Sequence, residues 1–176
     1  MNLLKKEFTN VNLISTSLTN VFNTFKDELK TNNSGELDQH SLANSRARLR
    51  MTTLYYYAGY YKSLVVGTGN KVEDFGVGFY TKYGDGGVDI SPIADLLKSE
   101  VFFIGKYLRI TNKILVAKPT DGLWDDNRTD EEQMGINYDE IEEAMRLIND
   151  KIPDNELDVD QLKARNIYCL LYTSDA

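Results

Sequence analysis

Two spacings of apolar residues run along this chain, separated by polar and glycine-rich stretches. Residues 11–16 (Val-Asn-Leu-Ile-Ser-Thr) form a short run that predicts a strand. Behind Thr19 or Asn20 as a cap, Val21, Phe22, Phe25 and Leu29 recur on one helical face. Residues 31–37 are polar and glycine-containing and predict a loop. A long helix is expected over 41–61, where Leu42, Leu49 and Tyr56 share a stripe and no proline intervenes. The apolar run 63–66 ends in Gly67-Thr68-Gly69, the pattern of a buried parallel strand closing in a turn. Pro92 then opens a helix carrying Ile93, Leu96, Leu97, Val101, Ile104 and Leu108. Thr129 and Glu132 have the spacing of a capping box, and further helices are expected over 138–148 and 157–167. Strands alternating with helices predict an α/β fold, one unit with a helical C-terminal part and neither repeat nor linker.

Composition narrows the chemistry. A chain of 176 residues can close a core of its own, and 41% hydrophobic with 27% charged residues is ordinary for a globular protein. The net charge of -7 argues against nucleic acid as a main partner, so any bound nucleotide needs a few placed cations or a metal ion. Met1-Asn2-Leu3-Leu4-Lys5-Lys6-Glu7 leads into no apolar stretch of a signal peptide, and no run reaches the ~20 residues that span a bilayer. The cytoplasm is the expected location, with no membrane partner. One cysteine excludes an internal disulfide framework.

Candidate chemistry concentrates after the 63–66 run. In open α/β sheets ligands sit at the carboxyl ends of strands. There Gly67 and Gly69 permit close backbone approach, Thr68 offers a hydroxyl, and Glu73 and Asp74 offer hard oxygens suited to Mg²⁺. Val72 breaks the dinucleotide fingerprint, and taken alone Gly-Thr-Gly reads better as a tight turn entering a helix. Residues 76–89 hold five glycines with Lys82, Asp85, Asp89 and three aromatics. That density suggests a loop folded closely around a ligand, the other reading being an Ω-loop packed on itself. Asp125, Asp126, Asp130, Glu131 and Glu132 look like a metal cluster but read better as a charged loop with a helix cap. Lys98, Arg46 and Arg50 fit solvated helix faces, and His40 a structural or solvated position beside a loop.

The run GTGNKVEDFGVGFYTKYGDGGVDISPIADLLKSEV, residues 67–101, resembles the ammonia-dependent NAD synthetases throughout. So do Arg46-Ala47-Arg48-Leu49-Arg50-Met51, the stretch Lys118-Pro119-Thr120-Asp121-Gly122-Leu123-Trp124, and residues 129–135. The resemblance implies a Rossmann-like parallel sheet of the adenine nucleotide alpha-hydrolase type. It implies ATP-dependent amidation of deamido-NAD with ammonia through an adenylate, with Mg²⁺, in a homodimer. By motif position it implies Glu73 as the Mg²⁺ ligand, Thr68, Lys98 and Thr120 as ATP contacts, and Arg50, Lys82 and Asp89 as deamido-NAD contacts. Asp85 would stand near the reacting centre with Lys98.

The sequence departs from the family at both ends. The family's Ser-Gly-Gly-x-Asp-Ser phosphate loop is absent, since Ser34-Gly35-Glu36-Leu37-Asp38 has Glu at the second glycine and no strand before it. The terminal His-Lys pair is absent too. Residues 1–168 are therefore expected to be part of a synthetase domain with an incomplete sheet, inactive alone. Residues 169–176 resemble a translated sequencing adapter and are expected to be non-native. Competing readings are a glutamine-using relative, another adenylating enzyme such as a GMP synthetase or a tRNA-thiolating enzyme, and a non-catalytic nucleotide-binding or dimerisation module. For the last, Tyr55, Tyr56, Tyr57, Tyr60 and Tyr61 supply interface-like aromatics, or else core plus surface.

Overall fold

A computed structural model describes residue 4 and residues 8–32, 35–124 and 126–174 of the chain. Most of the opening heptapeptide, Ser34, Asp125 and the last two residues of the tail lie outside the described residues. Two compact units form, residues 1–42 and residues 43–176.

In the first unit, α1 (Thr19–Asn32) forms where the helical spacing places it. Phe22 is its buried residue, stacked on Phe25 with ring centroids 6.5 Å apart. The 11–16 run is not a strand: it has no ladder partner and stays irregular. A long helix, α2 (Gln39–Tyr61), then crosses from this unit into the next.

Along α2 the buried positions are Leu42, Ala43, Ala47 and Ala58, whereas Tyr56 is 66% exposed. The expected stripe through Tyr56 is thus corrected, because alanines let other segments approach the helix. After α2 the 63–66 run is not a buried strand. Only Val65 is buried, flanked by exposed Leu64 and Val66. Its sheet pairing reduces to one parallel bridge, Val66 with Ile90, where Gly67 N–H donates to the Ile90 carbonyl at 2.7 Å. Gly67 lies so close to Val88 that an added Cβ would stand 2.8 Å from its Cγ2. No strand longer than this bridge occurs among the described residues.

A π-helical turn, Val72–Val77, follows and stops at Gly78 in the left-handed region. Pro92 does not start a helix. Residues 91–96 form turns, Lys71 N–H fixes the Leu96 carbonyl at 2.8 Å, and Leu97 is extended. Helix α3 (Lys98–Tyr107) therefore begins at Lys98, and a short α4 (Asn112–Leu115) follows. The capping box holds: Thr129 Oγ1 accepts from Glu132 N–H, opening α5 (Asp130–Met134). Asn137 and Glu140 cap α6 (Tyr138–Asn149) in the same reciprocal way. Helix α7 (Val159–Ser174) starts two residues later than expected and runs past position 168 without a break.

The core of this second unit joins these pieces. Val72 and Val77 of the π-turn pack with Met134, Ile136, Tyr138, Ile141, Ala144 and Ala164. Tyr138, Ile141, Ala144 and Leu147 make one buried face of α6, at three-residue steps. Leu171 of α7 packs against the same cluster. Glu73 and Tyr138 are consequently held by a closed apolar core rather than by loops.

Candidate functional site

The π-turn presents Glu73 because Asn70, itself buried, caps it. Asn70 Oδ1 accepts from the backbone N–H groups of Val72 at 3.0 Å and Glu73 at 3.2 Å. Lys98 stands at the first position of α3, and its Nζ donates to Glu73 Oε1 at 2.7 Å. The same oxygen accepts from the Tyr138 hydroxyl at 2.8 Å, and Tyr138 also reaches Asp130 Oδ2 at 3.2 Å. Lys98 Nζ lies 4.7 Å from the Tyr138 ring centroid, a cation–π contact. Glu73 Oε2 carries one long contact, from Asn70 N–H at 3.4 Å.

Burial shapes the acids here. The Asp130 carboxyl is raised above its ordinary range, first by desolvation, and further by the charges of Glu73 and Asp121. Its Oδ1 is buried without a hydrogen-bond partner. Asp74 is raised by desolvation, then by Glu73 and Asp85. The Tyr138 phenol is pushed far up, first by desolvation and then by Glu73, so it remains a proton donor.

A cavity of about 470 Å³ opens on this group. Arg50, Thr68, Glu73, Asp85, Lys98 and Thr120 all line it. Lys82 and Asp89 do not: Lys82 Nζ sits over the Tyr83 ring, and Asp89 accepts from Tyr55 Oη–H and from Val65 N–H. Some of the lining residues have internal work. Asp85 Oδ1 closes its loop by accepting from Thr81 N–H at 3.0 Å, and Thr120 Oγ1 donates to the Arg128 carbonyl. Arg50 is not on a merely wet face, since it donates to the carbonyls of Asp121 and Gly122, and Arg46 reaches that of Leu123. The acidic stretch divides: Asp126 pairs with Arg128, Glu132 caps α5, and Asp130 alone among these enters the cavity. Tyr138 has no role in the sequence-based expectations, and Asp130, expected there as part of a charged loop with a helix cap, instead lines the cavity. A tyrosine at the first position of a capped helix, eight residues after an acid opening another, is the weak signal that could have flagged them.

The cavity-lining residues bring four carboxylates, Glu73, Asp85, Asp121 and Asp130, against two cations, Arg50 and Lys98. Such a lining repels a polyphosphate unless a further cation enters with it. Among the described residues no cluster of three or more His, Cys, Asp or Glu side chains could hold a metal ion. No helix of the described residues is long and apolar enough to cross a membrane.

Comparison with known proteins gives the same direction. A family model described as NAD synthase matches residues 3–175. The NH(3)-dependent NAD(+) synthetase of Archaeoglobus fulgidus is 49% identical over 114 residues, 65% of this chain and 45% of that protein. That of Mesoplasma florum is 39% identical over 149 residues, 84% of this chain and 60% of that protein. Among solved structures, an NMN synthetase from Francisella tularensis superposes with a TM-score of 0.75 at 33% identity, covering 95% of this chain and 64% of its own. An NH3-dependent NAD synthetase from Campylobacter jejuni, in complex with a nitrate ion, gives 0.62 at 28% identity, covering 87% and 58%. The chain spans about half the length of the curated relatives it matches.

Proposed function

The chain belongs to the NAD synthase family, and from that premise we propose that the whole protein joins ammonia to the carboxylate of deamido-NAD with ATP, giving NAD, AMP and pyrophosphate. The observation that carries the reading is the Lys98–Glu73 pair, with Tyr138 behind it, opening into the same cavity as Thr68, Asp85 and Thr120. The nicotinate carboxylate attacks the α-phosphate, pyrophosphate leaves, and ammonia displaces AMP from the acyl-adenylate. A carboxylate acylates amines poorly and an adenylate acylates them well, so one hard step becomes two easier ones.

Mg²⁺ fits this donor set. Glu73 Oε2 is a hard oxygen with one long contact, and Mg²⁺ commonly takes one or two carboxylates and completes its shell with water and substrate phosphate. Glu73 would hold the ion, which when bound neutralises phosphate charge. Lys98 adds a point charge toward the phosphates, and Thr68 and Thr120 offer hydroxyl groups to ATP. Arg50, Lys82 and Asp89 are proposed to hold deamido-NAD, the last two after rearrangement of the 76–89 loop. Asp85 is proposed to stand by the carboxyl carbon that ammonia attacks. In the whole protein the 66–90 bridge is proposed to extend into a parallel sheet. The exposed Tyr56, Tyr60 and Tyr61 of α2 are proposed to face a second copy, which a monomeric mass in sedimentation equilibrium would contradict.

A second reading takes the mononucleotide bearing the same nicotinate carboxylate, because the Francisella tularensis neighbour is named an NMN synthetase. Turnover of the whole protein with ATP, Mg²⁺ and ammonium chloride decides between them. The main reading expects NAD from deamido-NAD at a kcat/KM above that for the mononucleotide. The reverse order favours the second reading, and no amide from either nucleotide defeats both.

A further inference from the structure

Three contacts converge on one side chain outside the motifs discussed so far. The Tyr138 hydroxyl binds Glu73 Oε1 and Asp130 Oδ2, and its ring lies under Lys98 Nζ. A phenol has one proton to give. It points to Glu73 Oε1 at the shorter distance, 2.8 Å, and Asp130 Oδ2 stands as the second acceptor at 3.2 Å. Tyr138 thus touches both members of the Glu73–Lys98 pair at once. Its own place is fixed from the other side: it is 6% exposed in the core, and its backbone N–H donates to Glu131 Oε1 at 3.2 Å.

We infer that Tyr138 is a positioning residue for the divalent-cation site, holding Glu73 by Oε1 so that Oε2 is left for the ion. This rests on the proposed Mg²⁺ role of Glu73. Without the hydroxyl, Lys98 alone holds Oε1, and a flexible amine fixes the carboxylate plane less well than two partners on that oxygen do. Hydrogen bonds of this supporting kind change metal affinity by about 10- to 100-fold when removed.

The test measures Mn²⁺ binding to the whole protein by electron paramagnetic resonance, with no turnover required. Tyr138→Phe keeps the ring and its contact with Lys98, and is expected to weaken Mn²⁺ binding about tenfold. Glu73→Gln checks the underlying reading: if the wild-type protein binds no Mn²⁺, or this variant binds it equally well, that reading and this inference fall together. Wild-type binding through Glu73 with unchanged affinity in Tyr138→Phe defeats the inference alone. Ile141→Val, a one-methylene loss in the core beneath Tyr138 on the same helix, separates positioning from general loosening. An equal loss of Mn²⁺ affinity in that variant overturns the inference. Should Tyr138→Phe fail to fold, 3-fluorotyrosine placed at position 138 gives the answer in a near-isosteric protein. Its ¹⁹F resonance is expected to shift as Mg²⁺ saturates the site, and a resonance that does not move overturns the inference.

Discussion

At Glu73 and Lys98 the charged atoms are 2.7 Å apart, with side chains only 15% and 17% exposed. Little water screens this pair, so removing one partner strands the other. Lys98→Met is expected to lower stability by about 3 kcal/mol. Part of that loss should return in Glu73→Gln/Lys98→Met, as a denaturant double-mutant cycle would register, and strictly additive losses would contradict the coupling. Asp130 gives a pH signature. Its folded-state carboxyl is raised, so the native state holds that proton more tightly than the unfolded chain does. Stability from this group therefore falls as pH rises from the ordinary carboxylate range through the raised value. Asp130→Asn should flatten that fall in melting temperature, and an unchanged slope would contradict the assignment. Asp74, raised in the same sense, keeps a residual slope. Thr68, Glu73, Asp85, Lys98 and Thr120 were accessible from sequence because a family motif carries them in order. Tyr138 was not, since its contact with Glu73 spans 65 positions and helical spacing reports only that it faces inward.

Elements with local causes were the legible ones. The Thr129–Glu132 box and the apolar face of α6 follow from spacing within a few residues, and both form as expected. The 11–16 and 63–66 strands did not, because a strand exists through its neighbours, and Val66–Ile90 is the one bridge the described residues supply. Pro92 misled for a different reason: turns at 91–96 and the extended Leu97 delay α3 until Lys98 faces Glu73. The cap of α5 also fixes Asp130, the first residue of that helix. Thr129→Ala should cost about 1 kcal/mol in thermal unfolding, and a loss within error would show the box to be idle.

Across the whole molecule, a net charge of -7 and an acid-rich cavity make a metal ion a condition of the proposed nucleotide binding. Removing Mg²⁺ with EDTA should weaken ATP binding by at least about tenfold in calorimetry, since polyphosphate then meets four carboxylates with two cations. Equal affinity with and without the ion would remove Mg²⁺ from the proposal. The central claim is that the carboxylate is activated as an adenylate, and one isotope measurement reaches it. Deamido-NAD labelled with ¹⁸O in its nicotinate carboxylate is turned over by the whole protein with ATP and ammonia, and the AMP is weighed by mass spectrometry. Attack on the α-phosphate followed by displacement at the acyl carbon sends one labelled oxygen into each AMP. Unlabelled AMP, or ADP in its place, would contradict the account.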